Sequence, residues 1–238
     1  MIVTLSIILK FIQMNHLEVE LKNLKSSLLE MWSIVISQHE KAKMALDNHD
    51  KELANEIHTN EKLLDAFELK HDMDCENLLV LNNPVAVDLR FVLAVLKINY
   101  NLERIGDYAN YIANTIRKSE TPFDNKLLKD LNIGQMFDTA HLMMVGAYEA
   151  FDKCETSHVR HFSELDNKLD QWNKDSFRIL SEYILKYPTE SKQALELFSI
   201  IRKLERVGDH NQNIAEEIVF YLDARVIKHK KLHHKPNN

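Results

Sequence analysis

Glycine and proline are scarce in this chain, four of each in 238 residues, and the scarcity argues against a sheet protein. Strands need both residues to punctuate their turns, whereas long helices exclude them. Cysteine is rarer still: Cys75 and Cys154 lie far apart, form no C-x-x-C pattern, and read as reduced thiols rather than a disulfide framework. Positive charge is not in excess either, since the formal net charge is -6. A broad phosphate-backbone-binding face is thereby excluded, and nucleic acid is not an expected partner. No apolar run reaches the ~20 residues of a membrane span. The apolar opening, residues 2–14, contains Lys10 and lacks the basic start and small-residue cleavage site of an export signal. The expected location is cytoplasmic. Also missing are a Gly-rich phosphate loop, a G-x-S-x-G elbow and a dinucleotide fingerprint, so nothing points to acyl, phosphoryl or hydride transfer.

What is present is helix-forming material, 45% hydrophobic and 28% charged. Apolar positions recur with a 3.6-residue period nearly unbroken between a few breakers. The pattern predicts six long helices at about residues 16–48, 50–81, 85–118, 127–153, 157–186 and 190–227. Long helices joined by short turns must pack as antiparallel neighbours. The predicted fold is therefore all-α, two tandem pseudo-symmetric three-helix bundles. The first repeat covers residues 14–118 and the second 126–227, with residues 119–125, containing Pro122, as linker. Residues 1–13 read as an N-terminal extension. Residues 228–238 read as a solvated basic tail carrying Lys228, Lys230, Lys231 and Lys235 with His229, His233 and His234 at no regular ligand spacing.

The two halves repeat each other in sequence. Leu102-Glu103-Arg104-Ile105-Gly106-Asp107 matches Leu204-Glu205-Arg206-Val207-Gly208-Asp209 at an offset of 102 residues. Upstream, Ala45-Leu46-Asp47 pairs with Ala150-Phe151-Asp152, and Glu61-x-x-x-Asp65 with Asp166-x-x-x-Asp170, at an offset of 105. A three-residue indel separates the copies, and the turns around Pro84 and Pro188 are its expected place.

Four acid pairs at i, i+4 result. Residues four apart are separated by about 40° of rotation and one helical turn, so each pair shares a face and can converge on one cation. In an antiparallel bundle Glu61 and Asp65 face Glu103 and Asp107 in the first half, and Asp166 and Asp170 face Glu205 and Asp209 in the second. An all-oxygen cage of this kind suits hard or borderline cations over a Zn-selective Cys and His set. The competing explanation is an ion-pair network involving Arg104, Arg206, Arg90, Lys97, Arg202 and Lys203. An arginine next in sequence points about 100° away from its neighbour, and is not expected to neutralise it on the same helix. Gly106 and Gly208, at one repeat position, require either close packing of a second helix or approach of a ligand. A di-iron carboxylate enzyme would use Glu-x-x-His pairs. Glu68 with His71 and Glu155 with His158 have that spacing but occupy non-equivalent places.

The run Asn83-Pro84-Val85-Ala86-Val87-Asp88-Leu89-Arg90, followed by Leu96-Lys97-Ile98 and Leu102-Glu103-Arg104-Ile105-Gly106-Asp107-Tyr108-Ala109, resembles the signature of the PhoU family. The second copy, Leu204 to His210, is similar to that family's C-terminal repeat, with His210 and Asn211 as departures. The resemblance implies metal-binding E/D-x-x-x-D motifs, with Glu61, Asp65, Glu103, Asp107, Asp166, Asp170, Glu205 and Asp209 as ligands of divalent or trivalent ions, multinuclear iron or zinc among the candidates. It further implies a non-enzymatic homodimer that negatively regulates the phosphate-starvation response. Its partners would be components of a phosphate ABC transporter and a phosphate-sensing histidine kinase. The alternative is a metal-binding helical interaction module without a phosphate role.

Overall fold

The computed structural model of the chain describes residues 2–225, with side chains described from residue 16. The basic tail, residues 228–238, and the predicted helix end at Ile227 lie outside the described residues. Seven α-helices and no strand occur among the described residues. They are α1 (Ile2–Asn48), α2 (Lys51–Asn82), α3 (Val87–Lys118), α4 (Asn125–Asp130), α5 (Ile133–Lys153), α6 (Phe162–Lys186) and α7 (Ser191–Asp223). All but the one-turn α4 are long. The helices α1, α2 and α3 form one bundle and α5, α6 and α7 the other, and the bundles meet where α3 packs on α7 and α1 on α5.

Local chemistry sets the helix ends. Asp50 starts α2 by accepting hydrogen bonds from the Glu52 and Leu53 amides at 3.0 and 2.9 Å, and Asp124 caps α4 in the same way; each satisfies amides that have no partner inside the helix. The predicted fourth helix, 127–153, is two helices instead. Asn132 adopts a left-handed conformation, φ 56°, which asparagine tolerates. The break turns both Leu131 and Ile133 into the core, each 1% exposed, which one straight helix would not do. The predicted fifth helix starts later, at Phe162, because Thr156–Val159 forms a 3-10 turn with Val159 and Phe162 buried. The first helix runs without interruption from Ile2, ahead of the predicted start at residue 16.

The three-residue indel does not fall in the turns. Both connections, 83–86 and 187–190, are four residues long, so the difference is absorbed by the lengths of the helices on either side. The two turns are equal in length and unlike in geometry: Asn83 and Ala86 take positive φ, 45° and 50°, whereas Pro188–Glu190 forms a 3-10 turn.

A single hydrophobic core runs through both bundles. Its centre is aromatic: Phe91 of α3 lies 5.4 Å from Tyr221 of α7 and 6.0 Å from Phe151 of α5, which is 5.9 Å from Trp32 of α1. Rings from four helices and both repeats thus interlock, at separations typical of favourable aromatic pairs. Buried polar links add direction. His39 of α1 is bonded at 3.0 Å to the Phe137 carbonyl of α5, and the Lys97 ammonium donates to Glu217 across the α3–α7 seam at 2.9 Å.

Within each bundle the glycine repeat marks the closest helix approach. A Cβ on Gly106 would overlap Leu64 Cδ1 of α2, and one on Gly208 would lie 2.5 Å from Leu169 Cδ1 of α6. Leu64 and Leu169 are themselves at equivalent repeat positions and are 2% and 0% exposed. Packing therefore accounts for the glycines. Gly106→Ala and Gly208→Ala each gain about 1 kcal/mol of helix propensity, yet each is expected to lower stability by about 1–3 kcal/mol net, because buried leucines have nowhere to move. Urea denaturation measures this; a gain in stability would show that the leucines swing aside freely.

Candidate metal centre

The leucine-on-glycine contacts place the acidic turns of α2 and α3, and of α6 and α7, against one another. In the second half all four sequence-predicted acids form one electrostatic group. Asp166 is pushed up to about 7, by burial first and then by Asp209, Asp170 and Glu205. Glu205 and Asp209 are also raised, again by burial first; Arg206 opposes the shift in both, and Asp170 adds to it. Asp166 Oδ1 is buried without a hydrogen-bond partner and lies 3.1 Å from the place a Gly208 Cβ would take.

The first half is built differently. Glu103, 8% exposed, is pushed up to about 7 by burial, then by Asp107 and, more weakly, by Glu68. Glu68 is itself raised by burial and by Asp72, with smaller pushes from Asp65 and Asp107. Glu68 is thus a member of this centre that sequence reasoning missed. It stands three residues after Asp65, on the same helix face, but its repeat equivalent is Asn173, so a search for acids present in both copies passes over it. Glu61 turns toward His58, 3.6 Å away, and His58 in turn contacts Asn110 at 3.1 Å. Asp65 is exposed.

Arg104 corrects one expectation. Although next in sequence to Glu103, its Nε lies 3.2 Å from Glu103 Oε2, and its Nη1 donates to Asp107 Oδ2 at 2.9 Å. The long stem curls back along the helix, so the 100° offset at Cα does not keep the guanidinium from its neighbour. Arg206 repeats the arrangement more loosely, at 4.0 Å from Glu205 and 3.6 Å from Asp209.

The Glu-x-x-His pairs do not form a centre. His71 is fully buried, with one ring nitrogen 2.9 Å from Asn99 Oδ1 and the other 2.8 Å from Ser27 Oγ, so neither is open to a metal. His158 sits in the 3-10 turn of the other bundle, beside Glu149 and Glu155. A second polar residue that the sequence did not flag is Gln38 of α1. It is 1% exposed, both its amide atoms lack partners, and its Oε1 abuts Gly106.

As the side chains stand, no three His, Cys, Asp or Glu among the described residues converge closely enough to hold a metal. The donor chemistry nonetheless fits a hard cation. Both centres are all-oxygen, both are crowded with like charge, and each has a buried carboxylate oxygen, Glu103 Oε2 or Asp166 Oδ1, that makes no hydrogen bond.

Comparison with known proteins is consistent over most of the chain. The profile of the PhoU domain family matches residues 28–116 and 133–218, one match per bundle. The phosphate-specific transport system accessory protein PhoU homolog of Pseudomonas putida is 29% identical over 217 residues, covering 90% of this chain and 83% of that protein. The protein of the same name from Xylella fastidiosa is 32% identical over 208 residues, covering 86% of each. The crystal structure of PhoU from Pseudomonas aeruginosa superposes with a TM-score of 0.79 at 26% identity, over 87% of this chain and 99% of that one. The phosphate transport system regulatory protein PhoU from Streptococcus pneumoniae does so at 0.76 and 26%, over 89% and 99%.

The crowding of carboxylates sets a pH dependence. Glu103 and Asp166 hold their protons more tightly in the folded protein than in the unfolded chain, so the folded state binds more protons. The contribution of these two acids to the stability of the metal-free protein is therefore expected to be fully present below the ordinary carboxylate range and to be lost as the pH rises through about 7. Glu103→Gln and Asp166→Asn should each remove about 1–2 kcal/mol of that loss, a figure reduced for partial solvent screening. Urea titrations at acidic and mildly alkaline pH measure it; an unchanged pH profile in the double variant would show that these acids ionise freely.

Proposed function

The chain belongs to the PhoU domain family, and from that premise we propose that it is a non-enzymatic accessory of phosphate transport that acts as a negative regulator of the phosphate-starvation response. The observation that carries this reading is the family match in both bundles, together with relatives named as accessory proteins of the phosphate-specific transport system along most of their length. In this reading the protein works at the cytoplasmic side and couples components of a phosphate ABC transporter to a phosphate-sensing histidine kinase. Among the described residues no helix is long and apolar enough to cross a membrane, so membrane contact is made through partners. A homodimer is the working form in this reading; the exposed apolar residues Leu69, Met73 and Val80 on the C-terminal half of α2 and Val85 in the α2–α3 turn offer surface for one.

The acid centres are its metal sites. Glu103, Asp107, Asp65 and Glu68, with Glu61 one turn away, would hold a cation in the first bundle, and Asp166, Asp170, Glu205 and Asp209 in the second. A bound divalent or trivalent ion would supply more positive charge than the one arginine beside each group of acids provides. The residues' own part is to fasten α2 to α3 and α6 to α7, since each pair contributes oxygens from both helices. Identity between iron, zinc and harder ions is open to the all-oxygen donor set.

Two measurements test these readings separately. In the native host grown with ample phosphate, a phosphate-starvation reporter is expected to switch on when the gene is deleted and off again when it is restored. A reporter indifferent to the gene overturns the regulatory role. For the metal, a protein carrying Glu103→Gln, Asp107→Asn, Glu205→Gln and Asp209→Asn is expected to lose most of the metal found by elemental analysis while keeping its helical circular dichroism. Equal metal in both proteins would remove the assignment.

A further inference from the structure

Each acid centre already contains a cation of its own, and the two are held differently. Arg104 reaches Glu103 at 3.2 Å and Asp107 at 2.9 Å; Arg206 stands off at 4.0 and 3.6 Å from Glu205 and Asp209. The guanidinium lies on Glu103 Oε2 and Asp107 Oδ2, so a metal ion drawing on those oxygens must displace it, and one using the other oxygen of each carboxylate is opposed by its charge. The Arg104 pairing is also imperfect. Glu103 Oε2 and Arg104 Nε are both buried and close, yet neither makes a hydrogen bond, and the fully buried Gln38 amide against Gly106 is likewise without a partner. In that same position the guanidinium is also held by a ring: Arg104 Cζ lies 5.2 Å from the ring centre of Tyr100, a half-exposed residue on the preceding turn, a contact that does not need the carboxylates. Stacking there retains part of its stabilisation when the carboxylates are taken.

We infer that Arg104 and Arg206 are built-in counter-ions that compete with metal for the acid centres, and that the second-bundle centre, whose arginine stands farther off, fills first. The inference rests on the metal reading above and adds an order to it. The first centre is guarded and the second is open, although their acids occupy equivalent repeat positions. Loading the first centre then moves the Arg104 charge outward onto the α3 surface, beside the groove that Leu96, Lys97, Tyr100 and His210 line between α3 and α7.

The test uses full-length protein stripped with a chelator and titrated calorimetrically with Mn2+. Each centre is isolated in turn, the second by Glu103→Gln with Asp107→Asn, the first by Asp166→Asn with Asp209→Asn. The second centre is expected to bind several-fold more tightly than the first. Adding Arg104→Gln to the isolated first centre is expected to tighten it by about tenfold, the order of a lost charge-assisted pair, and Arg206→Gln to tighten the second by less. Arg104→Lys, which keeps the charge on a milder replacement but cannot span both acids, should fall between. Circular dichroism verifies the fold in every case. Unchanged or weaker Mn2+ binding on removal of Arg104 overturns the competition, because an arginine with a purely structural role alters stability and leaves the dissociation constant alone. Binding that emerges only after an arginine is removed supports it. No Mn2+ binding by any of the proteins overturns the metal reading and this inference together.

Discussion

Everything at the two centres depends on how closely the second helix of each bundle approaches the third. That approach is possible because Leu64 and Leu169 each press on a residue with no side chain, Gly106 and Gly208. With the helices held together at that point, helical periodicity sets the acids that flank each leucine and glycine beside the seam, and side-chain packing decides which of them meet across it. The leucines also exclude water from the space between. Carboxylates are thereby brought near one another where solvent screens them less than at the open surface, and the raised proton affinity of Glu103, Asp166, Glu205 and Asp209 follows. Close packing, crowded charge and a site suited to cations are successive consequences of one contact.

The acids of the two bundles stand at equivalent repeat positions and differ in chemistry. In the second, four acids couple to one another and the arginine stands back. In the first, Glu68 joins the group, Glu61 is drawn toward His58, and Arg104 sits directly on the pair. The α1 position that is Gln38 in one bundle is Met143 in the other, an unpaired amide against an apolar side chain. Duplication supplied two equivalent frames, and substitutions within them have made the centres inequivalent.

What joins the frames is the aromatic centre of the core and the α3–α7 seam. Phe91, Phe151, Trp32 and Tyr221 come from four helices and both repeats, so neither bundle's interior is complete without the other. His210, a departure from the family pattern, lies in that seam, bonded to Asn101 at 2.7 Å and to the Tyr108 hydroxyl at 3.2 Å. Burial pushes its proton affinity down to about 4, which keeps it a neutral structural link at ordinary pH.

The sequence by itself determined the helical class, the six long helices, the twofold repeat and the i, i+4 acid pairs, because each of these is a periodicity, and periodicity is local to the chain. Tertiary structure alone decided the rest. Asn132 breaks one predicted helix because Leu131 and Ile133 both need the core. The indel disappears from the turns because equal connections serve both bundles. The glycines are explained by leucines that lie 42 and 39 residues away along the chain, and Glu68 enters its centre through neighbours on another helix. Arg104 reaches its own neighbour because a flexible side chain is not bound by the angle at which it leaves the helix. Contacts between distant segments and the paths of long side chains are set by packing in three dimensions, which spacing along the chain does not encode.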